Sequence, residues 1–151
     1  MSTHANIGIL EPNGKIKAIY CHNDGYIEHI GPLLINHYNS REKVKELISL
    51  GNISVLAERI KPESWENHSF DNRLPDVTVA YHRDRKESYS DNEATIYASK
   101  SDYIDHADAS FLYLFDINDD TWKVAEYSYK KRVKFYSLTS KLKEKTKTDE
   151  D

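Results

Sequence analysis

The sequence predicts an α+β fold: a mostly antiparallel β-sheet with two or three short helices packed on one face. Three observations predict it. The chain opens with two short apolar runs separated by a turn. A stretch with apolar residues at helical spacing follows. The later apolar runs are joined by hairpin-length links, which suit antiparallel neighbours better than the long crossovers of parallel strands.

Taken in order, Ala5 to Leu10 reads as a strand and Pro12-Asn13-Gly14 as a turn, with proline presetting φ and glycine tolerating φ > 0. Lys15 to Tyr20 alternates as the second strand of a hairpin, and Cys21 to Tyr26 leaves it as a loop. Ile27, Ile30, Leu34 and Tyr38 recur at helical spacing; Gly31-Pro32 places the regular start of that helix near Pro32. Ser40 reads as the N-cap of a second helix with Val44, Leu47 and Ile48 as its apolar stripe and Gly51 as its end. Ser54 to Ile60 reads as a further helical turn. Lys61 to Asp76 has two prolines and no period, so a long surface loop is expected, pinned by Trp65 and Phe70. Val77 to His82, Ala94 to Ser99, Ser110 to Asp116, Thr121 to Tyr127 and Val133 to Tyr136 read as strands, with a charged hairpin loop over Arg83 to Asn92.

The length, 151 residues, suits one domain, expected over 1–140. The remaining segment, 141–151, has Leu142 as its single apolar residue and is expected to fray and to be dispensable for folding. Hydrophobic residues make up 38% and charged residues 30% of the chain, which excludes disorder throughout. No apolar run approaches the ~20 residues that cross a bilayer, and the N-terminus lacks the basic and apolar regions of a secretory signal. A lone cysteine, Cys21, excludes an internal disulfide framework and a multi-cysteine zinc site. These features suit a reducing cytosol and no membrane partner.

Two clusters carry groups with chemistry. Tyr20-Cys21-His22-Asn23-Asp24-Gly25-Tyr26 holds a thiol, an imidazole and a carboxylate, the types a thiol nucleophile needs. Adjacent residues of a strand point to opposite faces, however, so Cys21 and His22 are not expected to touch, and a buried structural Cys21 is expected. Tyr81-His82-Arg83-Asp84-Arg85 sets two arginines around a carboxylate at a strand end, a grip for a phosphate or an acidic partner. Both clusters are expected to meet in one polar patch, with Arg83 and Arg85 exposed and serving function more than folding. The histidines show no metal-binding spacing, and no phosphate loop or paired-carboxylate motif is present; no metal and no cofactor are expected. Eleven tyrosines against four phenylalanines suit half-exposed strands or a contact surface. Residues 130–151 carry eight basic and four acidic groups, net +4, on a chain whose total is −4.

The strings Ile19-Tyr20-Cys21-His22-Asn23-Asp24-Gly25-Tyr26, then Tyr38 and Lys43-Val44 with Leu47-Ile48, Leu50-Gly51 and Ser54, and Thr78-Val79-Ala80-Tyr81-His82-Arg83-Asp84-Arg85 resemble a family of small proteins of tailed bacteriophages to which no activity is assigned. The resemblance covers roughly residues 5–90. The family pattern carries an aromatic residue where Asn23 stands, a proline where Ile27 stands and a glycine where Lys86 stands. The resemblance implies a phage accessory protein acting in the host bacterial cytoplasm.

The leading expectation is therefore a protein without catalysis of its own that binds a host protein or sequesters a small anionic defence signal. Its binding residues would be His22, Asp24, Tyr26, Tyr81, His82, Arg83, Asp84 and Arg85. One alternative is a cysteine-dependent hydrolase or transferase using Cys21, His22 and His82. Another is a nucleic-acid binder using Tyr127, Tyr129, Lys130, Lys131, Arg132, Lys134, Phe135 and Tyr136, against which stands the acidic balance of the whole chain.

Overall fold

The computed structural model describes residues 3–127 and 133–150, with the backbone alone for 146–150. Strand β1 (Ala5–Leu10) is buried along its whole length and pairs antiparallel with β2 (Ile16–Cys21) from Ala5–Cys21 to Leu10–Ile16. Gly14 turns the chain between them at φ +86°, and the Asn13 carboxamide oxygen accepts the Lys15 N–H.

Helix α1 (Ile27–His37) begins five residues before the expected start at Pro32, which lies inside it. Proline forfeits one helical hydrogen bond there. Burial of Ile27 and Ile30 in the first turn and of Leu33 and Leu34 in the next outweighs that loss. Helix α2 (Arg41–Ser49) starts as expected: the Ser40 hydroxyl accepts the Lys43 N–H at 3.2 Å.

The middle of the chain departs from expectation. Where a helical turn was expected, β3 (Ile53–Val55) pairs parallel with β2. The strand expected over Val77 to His82 shrinks to β4 (Val79–Ala80), and the expected charged hairpin loop opens instead with helix α3 (Tyr81–Arg85). The cause is local: the Asp84 carboxylate accepts the Ala80 N–H at 2.8 Å and bends the strand into a helical turn. Strand β5 (Thr95–Tyr97) adds to β2 beside β3. Helix α4 (Lys100–His106), for which no element was expected, has reciprocal caps: the Ser99 hydroxyl accepts the Asp102 N–H, and the Asp102 carboxylate accepts the Ala98 N–H.

Strands β6 (Phe111–Asp116) and β7 (Thr121–Glu126) form the second long hairpin, followed by β8 (Tyr136–Ser137), shorter and later than the strand expected over Val133 to Tyr136. The sheet runs β4-β3-β2-β1-β6-β7-β8. It is mostly antiparallel; among the described strands only β1·β6 and β2·β3 run parallel.

Alternation along the strands makes two cores. Ile7, Ile9, Ile19, Tyr113, Phe115 and Val124 face α1 and α2. Leu10, Ile16, Ala18, Leu112, Leu114 and Ala125 face Tyr103 of α4, whose hydroxyl donates to the Tyr113 carbonyl. Helices thus cover both faces, where one was expected. Helix α5 (Leu138–Glu150) crosses the boundary expected at 140/141. Leu138 and Leu142 pack on α1 beside Gly31, and Lys145 lies 3.7 Å from Glu126, so residues 141–145 belong to the packed body.

The 61–76 loop is present, but Trp65 does not pin it: the indole is 79% exposed. Arg59 ties both ends instead, bonding Glu66 at 2.6 and 3.1 Å and Asp76 at 2.9 Å through two nitrogens. Phe70 is half-buried, with the guanidinium carbons of Arg73 and Arg85 at 4.4 and 4.8 Å from its ring centre. Among the described residues, no helix is long and apolar enough to cross a membrane.

Candidate functional site

The first cluster is spent on folding. Cys21 ends β2 in the core beneath α1, fully buried, and its thiol donates to the Asn23 carbonyl at 3.4 Å. Burial is the largest influence on the thiol and pushes its pKa up to about 12, so almost no thiolate exists at neutral pH. Asp24 takes φ +55° and is exposed; Gly25 follows because an added Cβ would lie 2.6 Å from that of Ala5. The Gly25 carbonyl accepts the buried Tyr113 hydroxyl at 2.7 Å, and exposed Tyr26 precedes α1. We expect a thiol reagent to leave Cys21 unmodified at neutral pH in the native protein and to label it fully after denaturation. Stoichiometric labelling of the native chain within minutes would contradict this burial.

His22 points to the other face of β2 and forms a group with Tyr20 and His4, which the sequence reading did not include. His4 Nδ1 is 2.8 Å from the His22 carbonyl, so it carries the hydrogen and donates it. The Tyr20 hydroxyl lies 2.8 Å from the same nitrogen and shares a hydrogen bond with His22 Nδ1 at 3.1 Å. Burial is the largest of the influences that raise the Tyr20 pKa; Tyr81, Cys21 and Asp108 add to it, so this phenol is no ready base. The Tyr20–His22 half was legible as residues two apart on one strand face; His4 had no signal.

The second cluster is also structural at its centre. The Arg83 side chain is 26% exposed and that of Asp84 4%. Arg83 binds the Asp84 carboxylate through Nε and Nη2 at 2.9 Å each, and donates to the carbonyls of Ile60 and Thr78 at 2.6 Å. His68, its imidazole fully shielded, accepts the Leu74 N–H at Nδ1 and turns Nε2 to within 3.3 Å of Asp84 Oδ2, off the line of a good hydrogen bond. Burial by itself pushes the Asp84 carboxyl up; the Arg83 hydrogen bonds, the Ala80 N–H, the Arg83 charge and His68 together hold it below the usual carboxylate range. The expectation of an exposed, functional Arg83 is corrected: it clamps the 61–76 loop to β4 because backbone carbonyls and a buried carboxylate use its fork. Arg85 is exposed and 3.4 Å from Glu87. His82 is exposed and donates from Nδ1 to the Glu87 carbonyl, and Tyr81 is half-buried with its N–H on the Asn52 carbonyl.

The strands that carry the two clusters end on one row of the sheet, Cys21 and Ala80 both registering with Ile53, and Asn52 bonds both: its side chain accepts the Tyr20 N–H and its carbonyl the Tyr81 N–H. β3 separates β2 from β4, and β4 runs antiparallel to both, so the chain leaves that row in opposite directions. No hydrogen bond or ion pair joins the predicted site residues of one cluster to those of the other among the described residues. For the thiol-enzyme alternative, the bonds of Cys21, His22 and His82 lead to three separate places. For the nucleic-acid alternative, Tyr129, Lys130, Lys131 and Arg132 lie outside the described residues. Phe135 stacks on Tyr103 in the second core, Lys134 and Lys141 lie over the Tyr136 ring, and Tyr127 is exposed.

Uncommitted positive charge gathers elsewhere, in a cleft of about 290 Å³ between the β1–β2 hairpin, α2 and the β6–β7 turn. Ile9, Leu10, Pro12, Ile48 and Ile117 give it an apolar floor, and Lys17, Arg41 and Lys45 a cationic rim, with Glu11 the one acid in the lining among the described residues. Lys17 stands opposite Ile9 in the hairpin register. Arg41, Lys45 and Ser49 form an i, i+4, i+8 row along α2. Arg41 is fixed by Asp120 at 2.8 Å and the Ile117 carbonyl at 2.9 Å, with Nη1 left over among the described residues. Lys17 and Lys45 have no ion pair among the described residues. A sequence signal existed: like charges at i, i+4 in Arg41 and Lys45 cost helix stability unless something else uses them.

Compared with known proteins, the chain matches no family model, no curated protein and no solved structure.

Proposed function

We propose that this chain is a bacteriophage accessory protein that works in the host bacterial cytoplasm by binding, without catalysis of its own, and that its target is a small anionic signal molecule. The cleft between the hairpin and α2 carries this reading. Its two exposed lysines have no acidic partner among the described residues, although the chain as a whole is net −4. Unpaired cations at the rim of a cleft with an apolar floor attract an anion and give its apolar part a surface to rest on. The phage origin rests on the strings around Cys21 and Arg83. Both have a folding role, so they support common architecture with that family and leave the binding surface elsewhere. The host-protein version has a weaker support, the exposed Trp65 on a loop held rigid by Arg59 and Arg83.

The test is affinity capture of the full chain from phage-infected cells, with the proteins and the small molecules released on denaturation both identified. A stoichiometric anionic molecule, absent from a Lys17→Glu/Lys45→Glu chain, is the expected result. A captured molecule that leaves chemically altered would show turnover and overturn the non-catalytic reading.

A further inference from the structure

We infer that the hairpin–α2 cleft is a site for a phosphomonoester: a phosphate attached to a small flat or apolar body. This rests on the reading of the protein as a binder of small anions and names the ligand class. The rim and the floor each select one half of such a molecule. Lysine is a compact, strongly hydrated point charge on a flexible stem, suited to phosphate oxygens from several directions. Lys17 reaches the cleft from β2 and Lys45 from α2, so the two close on a group between them. Arg41 adds a guanidinium already held in place by Asp120 and the Ile117 carbonyl, so little side-chain freedom is lost when Nη1 donates to a ligand. Of the charged side chains that line the cleft among the described residues, three are cations and one, Glu11, is an acid, with Asp120 sharing Arg41; this lining favours an anion over a cation of similar shape.

The floor sets the rest. Ile9, Leu10 and Ile48 are nearly buried, and Ile117 and Pro12 border them; these side chains offer no hydrogen bond to a polar body. Among the described residues no aromatic ring lines the cleft, so the body is held by aliphatic contact on one face rather than by stacking. A volume of about 290 Å³ admits a single ring with its phosphate and falls at the small end of ligand pockets.

The experiment is calorimetric titration of the full chain with phenyl phosphate, inorganic phosphate and benzoate at low salt. It is repeated on Lys17→Glu and Lys45→Glu chains whose melting temperatures are measured alongside. Both lysines are exposed and unpaired, so both variants are expected to melt as the parent does. Phenyl phosphate is expected to bind at least about tenfold more tightly than inorganic phosphate, which lacks the body, and than benzoate, which lacks the dianion. Each reversal is expected to weaken it at least about tenfold. Equal binding of benzoate or of inorganic phosphate would overturn the ligand class. Undiminished binding to both variants would overturn the site. If a variant melts early, amide shifts of Ile9, Ile48 and Ile117 in the parent chain decide instead: they move with phenyl phosphate if the site is right and stay fixed if it is wrong. The broader reading fails separately, when capture from infected cells yields no anion although phenyl phosphate binds the cleft.

Discussion

Arg83→Ala is expected to destabilise the protein by about 3 kcal/mol or more, the range found when one partner of a buried ion pair is removed. The substitution strips two hydrogen bonds from a carboxylate that is 4% exposed and leaves the carbonyls of Ile60 and Thr78 without their donor. At roughly 2–4 °C per kcal/mol for a chain of this size, the melting temperature should fall by about 10 °C. Arg83→Lys should recover only part of this, since an ammonium cannot span the Asp84 fork and reach two carbonyls together. Arg85→Ala is the control from the same helix: its exposed pair with Glu87 is worth about 0–1 kcal/mol and its place over the Phe70 ring about 0.5–1 kcal/mol, well short of the Arg83 loss. Thermal melts of the three variants decide the matter. Equal, small losses from Arg83 and Arg85 would return Arg83 to the surface patch that the sequence suggested.

The clamp also gives this destabilisation a pH dependence with a definite sign. Asp84 is held below its ordinary value when folded and returns to about 4 when unfolded. As the pH falls through about 4 the unfolded chain takes up a proton first, so stability present at neutral pH is lost on the way down through the folded value. In Arg83→Ala the burial that opposes ionisation faces fewer opposing contacts, so the folded pKa rises. The gap in stability between parent and variant should therefore be widest near neutrality and narrow below about pH 4. A gap independent of pH would mean that Asp84 does not sense Arg83.

How much of this was legible depended on element length. The pairs β1–β2 and β6–β7 run six residues each, long enough for alternation to show. Strands β4, β5 and β8 fall within or against strands that the sequence predicts, but with two or three residues each their bounds are not set by a period, and β3, three residues long, reads as a helical turn. Their pairing is set by contacts from far along the chain, such as Asn52 accepting the Tyr20 N–H and the Tyr81 N–H. Helix α3 was hidden because its cause is a side-chain-to-backbone bond between Asp84 and Ala80. Helix α4 was not hidden: Ser99 with Asp102 three residues on is a sequence-level start signal. The burial of Cys21 followed from its strand position, whereas the role of Arg83 did not. Composition suggests an exposed charge, and only the fold brings the Ile60 and Thr78 carbonyls to it. The cleft was half-legible, with Arg41 and Lys45 one turn apart on a readable helix, but Lys17 joins them only through the packing of α2 on the hairpin.

Gly51→Ala is expected to cost about 3 kcal/mol, a drop of roughly 6–12 °C in melting temperature. Gly51 sits just past the end of α2 at φ +78°, where a residue with a Cβ loses about 1–2 kcal/mol. The remainder is steric. A Cβ at this position would lie 2.3 Å from the Asn92 carbonyl oxygen and 3.1 Å from its carbon, both backbone atoms that cannot rotate aside. That carbonyl accepts the Asn52 N–H at 2.7 Å, and Asn52 in turn serves β2 through Tyr20 and α3 through Tyr81. Moving Asn92 away therefore breaks one hydrogen bond outright and loosens the end of β2 and the start of α3 that Asn52 holds beside β3. Gly14→Ala separates the two contributions. It has φ +86° in the hairpin turn with nothing within 4 Å of the added Cβ, so it carries the conformational cost alone. Denaturant midpoints of the two variants, compared at equal m-value, should show Gly51→Ala the more damaging by at least about 1 kcal/mol. Equal losses at the two sites would mean that the segment around Asn92 yields without cost, and that β3 is not held in place through it.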